Sequence, residues 1–361
     1  MAGWRYVAIA LIAAACGHTY FDPEHDAPTS SDSGPPQANI AFVTSTTQLP
    51  TTFGADLSGA DMVCMMRAQA AGLSGRFVAL LSTTTINARD RLAGSRGWTR
   101  KDGKPVLDLP DDMLAGKMYY PISQDENGSS VLAPVITGTT TTGDLNSGND
   151  CGDYSDAGGS LTYGRSSSTS FQWLSYINGS CNAAARIYCF GLGLDAPLAV
   201  PPPTGRLAFV TSEAYIVDSG GLNTADTLCN DEAQLAGLSG TFAALLATGS
   251  ANAMSRFSLT GDNWQRLDGI PIAASTLAFS EGSIDAPLNV SAARTYLNSF
   301  GVMTGILNFT QPDSTTLDTC SNWTDVTGSG SCGDPNDVGG LFNNQGGGVA
   351  CDTQPIYCLQ Q

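Results

Sequence analysis

The chain has 361 residues, enough for two or three domains that each bury their own core. Apolar residues make up 42% and charged residues 14%, which is too apolar for a disordered chain and suits a loop-rich globular one. A formal charge of −17 against only 16 Lys and Arg argues against partners that are nucleic acid or anionic lipid head groups. The charge is uneven: residues 39–189 hold 11 basic and 13 acidic side chains, whereas residues 205–361 hold 4 and 15. That acidity reads as a solubilising surface.

In chain order, the first element is an export signal. Arg5 supplies one positive charge, residues 6–15 form an apolar run, and small residues precede Cys16. Such a run is too short to span a bilayer, which takes about 20 residues. Ala13-Ala14-Ala15-Cys16 resembles the lipobox of bacterial lipoproteins, which implies acylation at Cys16 and a lipid anchor as the only membrane contact. Ala13 stands where that motif usually has Leu, and plain cleavage after Ala15 is the alternative. The resemblance implies an exported protein at the bacterial outer membrane or cell surface, or a secreted one if the anchor is absent. Residues 1–16 are therefore assigned to the signal and anchor. Residues 17–38, rich in Ser and Pro without apolar periodicity, are assigned to a disordered tether.

An internal duplication follows. Ala41-Phe42-Val43-Thr44-Ser45 returns as Ala208-Phe209-Val210-Thr211-Ser212, and Ala71-Gly72-Leu73-Ser74-Gly75 as Ala236-Gly237-Leu238-Ser239-Gly240. Trp98, Arg100, Asp102 and Gly103 return as Trp264, Arg266, Asp268 and Gly269. A register held over this length is the mark of repetition. It predicts one domain over 39–190, a linker over 191–205 and a second domain over 206–361. Pro201-Pro202-Pro203 predict an extended, semi-rigid spacer, which would hold two sites at a set distance.

Within each copy, residues 40–44 read as an opening strand, and 60–71 show the three-and-four spacing of an amphipathic helix. Ser58 is expected to cap that helix and Gly72 to stop it. Residues 77–81 read as a buried strand, and the Gly-, Ser- and Thr-rich remainder as short strands on long loops, an α+β pattern.

Nine cysteines follow Cys16: Cys64, Cys151, Cys181 and Cys189, then Cys229, Cys320, Cys332, Cys351 and Cys358. In an exported chain they are expected to form disulfides, and four per copy leave three connectivities open. A zinc site is disfavoured, because the histidines are His18 and His25, both in the tether. Cys332 has no counterpart in the first copy and is expected to be unpaired within the chain, as a buried inert thiol, with a free surface thiol or an intermolecular link as the alternatives.

Residues 58–61, Cys64, 71–75 and 77–81 resemble the opening of endostatin, and Thr137-Gly138, Cys151, Cys181 and Tyr188-Cys189 continue in the same order. The second copy carries Cys229, 236–240, Thr304-Gly305, Cys320, Trp323, Cys351 and Cys358 in that order too. The chain is also similar to bacterial surface lipoproteins with endostatin-like domains. The resemblance implies two tandem C-type-lectin-like domains with nested bridges: Cys64–Cys189 around Cys151–Cys181, and Cys229–Cys358 around Cys320–Cys351. It does not carry endostatin's zinc site, whose ligands include N-terminal histidines. Heparin binding is not expected, since Arg206, Arg256, Arg266 and Arg294 are scattered among acids. The first copy has a denser group, Arg89, Arg91, Arg96, Arg100, Lys101 and Lys104, read as a solvated loop with an anion-binding patch as the sharper option.

Without histidine in either copy, a Ser-His-Asp or Cys-His mechanism has no base, so a hydrolase is disfavoured. Asp111-Asp112 and Asp125-Glu126 read as surface carboxylates. Sugar-binding C-type lectins place a Gln-Pro-Asp loop and a Trp-Asn-Asp segment around calcium, and this chain has Gln311-Pro312-Asp313 and Phe342-Asn343-Asn344. That likeness implies ligand binding at Gln311, Asp313, Asn343 and Asn344, with calcium at Asp313, Asn343 and Asn344. In the first copy the spacing of Asp144, Asn146, Asn149 and Asp150 is similar to that of calcium loops without matching one. Trp98 and Trp264 are expected to fill cores. The expectation is a non-enzymatic surface or adhesion module for glycan or extracellular protein. A structural envelope lipoprotein without a small ligand is the alternative.

Overall fold

The computed structural model describes residues 38–218, 220–298, 301–306, 319–341, 349–351 and 354–361. They form a mixed α+β structure made mostly of sheet, with few helices and four disulfides. Among the described residues no helix is long and apolar enough to cross a membrane.

The first half runs β1 (Asn39–Val43), α1 (Ser58–Ala70), β2 (Arg76–Ala79), β3 (Trp98–Thr99), β4 (Pro105–Leu107), β5 (Pro134–Ile136), α2 (Cys151–Tyr154), β6 (Ser160–Arg165), β7 (Ile177–Ser180) and β8 (Arg186–Leu192). β8 is the spine of the sheet. It lies antiparallel to β1 (Phe42 opposite Cys189) and to β2 (Val78 opposite Phe190), and parallel to β5 (Ile136 opposite Ile187). β1 is buried on both faces: Ala41 and Val43 join one core with Trp98 and Phe190, while Phe42 joins the other beneath α1. Strands covered on both sides read as continuous apolar runs, and this run is Ala41-Phe42-Val43.

The helix begins where the sequence suggests, but by different means. Leu57 is the N-cap in a left-handed conformation (φ 61°) and makes no side-chain cap. Asp56 Oδ1 instead accepts the Ser58 N–H at 3.1 Å and the Ser58 hydroxyl at 2.8 Å. At the other end Gly72 has φ +70° and the Leu73 N–H returns to the Ala68 carbonyl at 2.9 Å, a glycine stop. Asp61 then fastens the helix to the sheet. Its Oδ1 accepts the Ala79 N–H at 2.9 Å and Arg91 Nη2 at 2.7 Å.

The second half repeats these parts: β9 (Arg206–Val210), α3 (Leu222–Leu235), β10 (Phe242–Ala244), β11 (Trp264–Arg266), α4 (Thr276–Ser280), β12 (Val302–Met303), α5 (Cys320–Trp323), β13 (Ser329–Gly330), β14 (Cys332–Gly333), β15 (Val349–Ala350) and β16 (Tyr357–Gln360). β9 lies antiparallel to β16 and parallel to β11, as β1 does to β8 and β3. Asp226 takes the Ala244 N–H and Arg256, as Asp61 takes Ala79 and Arg91. In each half one disulfide ties the long helix to the closing strand, Cys64–Cys189 and Cys229–Cys358, and a second joins Cys151–Cys181 or Cys320–Cys351 inside that loop. Cys332 is free and buried. Trp98 and Trp264 are core residues, their indole N–H groups donating to the Gly191 carbonyl (2.7 Å) and the Gln360 carbonyl (2.9 Å).

The proline-rich segment is not a spacer that holds two sites apart. Asn39 Nδ2 donates to the Leu194 carbonyl at 2.8 Å, the Leu198 N–H to Asp108 Oδ1 at 2.8 Å, and the Thr204 N–H to Gln265 Oε1 at 2.9 Å. Gly269 sits so close that a Cβ there would come within 2.0 Å of the Pro201 carbonyl oxygen. The segment is a strap laid against both halves, and residues 38–361 form one compact unit.

The halves meet through equivalent segments. Ser168 and Asp337 form an antiparallel bridge, with the Thr169 N–H on the Asn336 carbonyl (2.8 Å) and the Val338 N–H on the Ser167 carbonyl (3.1 Å). Matching segments that pair antiparallel are the local sign of a two-fold relation. Around this pairing lie the Arg165–Asp337 ion pair (2.5 Å) and a bond from Gln172 Nε2 to Asp334 Oδ2 (2.7 Å).

Asp334 makes this interface sensitive to pH. Burial pushes its carboxyl up to about 6, against the pull of its bonds from Asn336 N and Gln172. The folded state thus holds the proton more tightly than the unfolded chain does. Stability is expected to fall as pH rises from about 4 to about 6, and to stay at the lower level above. Asp334→Asn removes the charge, and the Gln172 amide can turn to face the new one. The variant is expected to be more stable at pH 7.5 by about 1–3 kcal/mol. Its melting temperature should be flatter between pH 4 and 7; a parallel profile in both proteins would count against the assignment.

A polar cleft between the two halves

Each half builds an Arg-x-Asp-Gly turn after its Trp-bearing strand. The Arg100 N–H bonds the Lys104 carbonyl and the Gly103 N–H the Arg100 carbonyl, both at 2.9 Å, and Arg266, Ile270 and Gly269 repeat both bonds at 2.9 Å. The turn folds the carboxylate back on the guanidinium: Arg100 Nε reaches Asp102 Oδ1 at 3.2 Å and Nη2 reaches Oδ2 at 2.5 Å. Arg266 forms the same two-point pair with Asp268. Burial opposes ionisation of both carboxyls, but the neighbouring arginine charge and hydrogen bonds prevail and hold them below the usual carboxylate range.

The two clamps have different fates. Arg266 is fully buried, and its Nη1 donates to the Tyr119 carbonyl at 3.1 Å, its Nη2 to the Met118 carbonyl at 3.4 Å. Beside it, Tyr120, Ile270 and Ala286 form a small shared apolar cluster. Among the described residues Arg100 makes no such bond to the second half. In its place is an open cleft of ≈ 510 Å³, lined by Arg100, Asp102, Lys104, Gln124 and Ser130 from the first half. Ser283 and Asp285 close it from the second half, and Lys104 Nζ lies 2.9 Å from Asp285 Oδ1 across it. Gln124 Nε2 donates to Asp102 Oδ2 at 3.0 Å, while its Oε1 is buried with no hydrogen-bond partner. An orphaned acceptor beside unspent donors is a site with hydrogen-bonding capacity to offer.

Gln311, Asp313, Asn343 and Asn344 lie outside the described residues, as does Cys16. Asp144, Asn146, Asn149 and Asp150 each bond within the first half. Asp144 pairs with Arg89 (3.1 Å) and Asn146 Nδ2 donates to Thr162 Oγ1 (2.8 Å). Asn149 Oδ1 accepts the Ser160 hydroxyl (2.8 Å), and Asp150 accepts the Asp153 N–H (3.4 Å). Among the described residues no group of three or more His, Cys, Asp or Glu is placed to hold a metal.

Two surface readings are overturned. Asp125 and Glu126 are 6% and 2% exposed. Asp125 Oδ1 accepts the Asn127 and Ser129 N–H groups, closing its own hairpin, and Glu126 accepts from Ser45 and Arg67. The basic group is not a solvated loop or an anion patch either. Arg89 pairs with Asp144, Arg91 with Asp61, Arg96 with Asp108 and Lys104 with Asp285, and Lys101 donates to the Glu126 carbonyl. Gln124, Ser130 and Asp285 escaped the sequence reading. Only setting Ser130 against Tyr296, 166 residues on, would have exposed the difference between the halves. No protein-family model and no curated protein matches the chain.

Proposed function

We propose that the chain is a non-enzymatic binding module, exported and anchored through Cys16, that recognises glycan or extracellular protein with two C-type-lectin-like, endostatin-like domains. The nested bridges and the helix tied to a closing strand support that fold assignment in both halves. The observation that carries the binding reading is the cleft between the halves. Its ≈ 510 Å³ falls in the range of small-molecule sites, and its lining sets Leu132, Ile284 and Val338 among polar groups whose charges are paired. Paired charges leave little net field, so the site suits neutral ligands with hydroxyl or amide groups.

Ser283 is exposed on the rim, where a tryptophan can fill the opening without entering the core. Ser283→Trp is expected to abolish binding to the glycans or extracellular proteins that the tether-free protein retains on an array, with its melting temperature unchanged. If every array signal persists in Ser283→Trp, the cleft is not the site.

A further inference from the structure

The second half shows what fits the place that the first half leaves open. The hairpins that carry Gln124 and Val290 correspond bond for bond. The Val131 N–H meets the Ser123 carbonyl and the Leu297 N–H the Asn289 carbonyl, each at 2.8 Å. The Asp125 N–H meets the Ser129 carbonyl and the Ser291 N–H the Thr295 carbonyl, each at 2.9 Å. Gln124 bridges Ser130 as Val290 bridges Tyr296. Ser130 and Tyr296 are therefore equivalent positions.

Tyr296 donates its hydroxyl to Asp268 Oδ2, and the Arg266 guanidinium lies 5.5 Å from the centre of its ring. The same guanidinium holds the two successive backbone carbonyls of Met118 and Tyr119. One phenol and a run of peptide thus complete the second clamp. The first clamp has a ring against its guanidinium, Tyr120 at 5.6 Å, but that hydroxyl donates to the Pro271 carbonyl and not to Asp102. At the position of Tyr296 stands the short Ser130, and among the described residues Arg100 Nη2 donates to Asp102 and Gln124 Oε1 has no donor.

We propose that the cleft binds a tyrosyl segment of a partner polypeptide. Its ring takes the volume that Tyr296 fills in the other half. Its hydroxyl donates to Gln124 Oε1 once the amide turns that buried oxygen toward the cleft, and a flanking backbone carbonyl accepts from Arg100 Nη2 or Lys104 Nζ. A buried acceptor that needs a donor discriminates strongly against an analogue lacking one. The cleft is larger than one tyrosyl group, which leaves room for the flanking backbone.

This rests on the cleft being the binding site, and the test separates the two. Calorimetric titration of the tether-free protein with N-acetyl-tyrosinamide is expected to saturate, and N-acetyl-phenylalaninamide to bind at least tenfold more weakly. Ser130→Tyr supplies the side chain the second half already uses; it should abolish binding and raise the melting temperature. Gln124→Leu should bring the two probes to equal affinity, a result that loss of folding cannot mimic. Equal binding of both probes to the unmodified protein, or tighter binding of N-acetylglucosamine, would overturn the phenolic assignment. If neither probe binds while Ser283→Trp still removes an array signal, the tyrosyl proposal falls and the cleft reading survives.

Discussion

Arg266→Leu is expected to destabilise the protein by about 3–5 kcal/mol, several times the cost of a typical surface substitution. The guanidinium is fully buried and donates to Asp268, to the carbonyls of Tyr119, Pro287 and Met118, and to Asn289. Leucine leaves Asp268, a half-buried carboxylate, with the Tyr296 hydroxyl and the Ile270 N–H as its remaining partners among the described residues, and strips two carbonyls in the first half of their charged donor. Removing both charges, in Arg266→Leu with Asp268→Leu, should cost less than Arg266→Leu alone, because no uncompensated ion remains. Arg100→Leu provides the internal control. Its clamp is the same within the half but, among the described residues, makes no bond across the interface, so it should cost about 1–3 kcal/mol less than Arg266→Leu. Urea denaturation of the four proteins checks the ordering. Equal losses for Arg100→Leu and Arg266→Leu would show that the bonds to Met118 and Tyr119 contribute nothing net.

That contrast also explains what could be read before the structure was known. The opening strand, the helix and the buried strand after it were legible because their signals are local: the apolar run Ala41-Phe42-Val43, small residues at Ala60, Cys64 and Ala68 on one face, and a glycine stop at Gly72. The duplication was legible because both halves repeat the same short strings. The cleft was not, because Arg100 and Arg266 sit in nearly identical local sequence, each followed two residues later by Asp and Gly. Their difference comes from residues far along the chain, Ser130 or Tyr296 and the backbone of Met118 and Tyr119. The adjacent acids Asp125 and Glu126 misled for a similar reason. An acidic pair in a polar loop reads as surface until Ser45 and Arg67 arrive from elsewhere to satisfy it. The prolines misled in the opposite sense. An extended segment is free to be a spacer or a strap, and the choice depends on Asn39, Asp108 and Gln265, which lie outside it.

Removing the outer bridge of the first half, with Cys64→Ala and Cys189→Ala, is expected to cost more than removing the inner one with Cys151→Ala and Cys181→Ala. The outer pair closes 125 residues and the inner pair 30, which in the chain-entropy account correspond to about 5 and about 4 kcal/mol. Such losses should lower the melting temperature by about 10–20 °C if a half of roughly 150 residues unfolds by itself, and by about 6–8 °C if residues 38–361 unfold together. The second half offers a replicate, with loops of 129 and 31 residues. Cys332 adds a site-specific reading of the same event. Burial, helped by the nearby Asp334 carboxylate, pushes its thiol up, so little thiolate is present in the folded state and a thiol reagent should label it slowly. Deleting Cys229–Cys358 should speed that labelling, because the closing strand β16 then opens from α3. Deleting Cys64–Cys189 should leave it nearly unchanged if each bridge guards only its own half. If both deletions accelerate Cys332 equally, the halves unfold as one unit. The contacts across the Ser168–Asp337 pairing, rather than the bridges, would then set cooperativity.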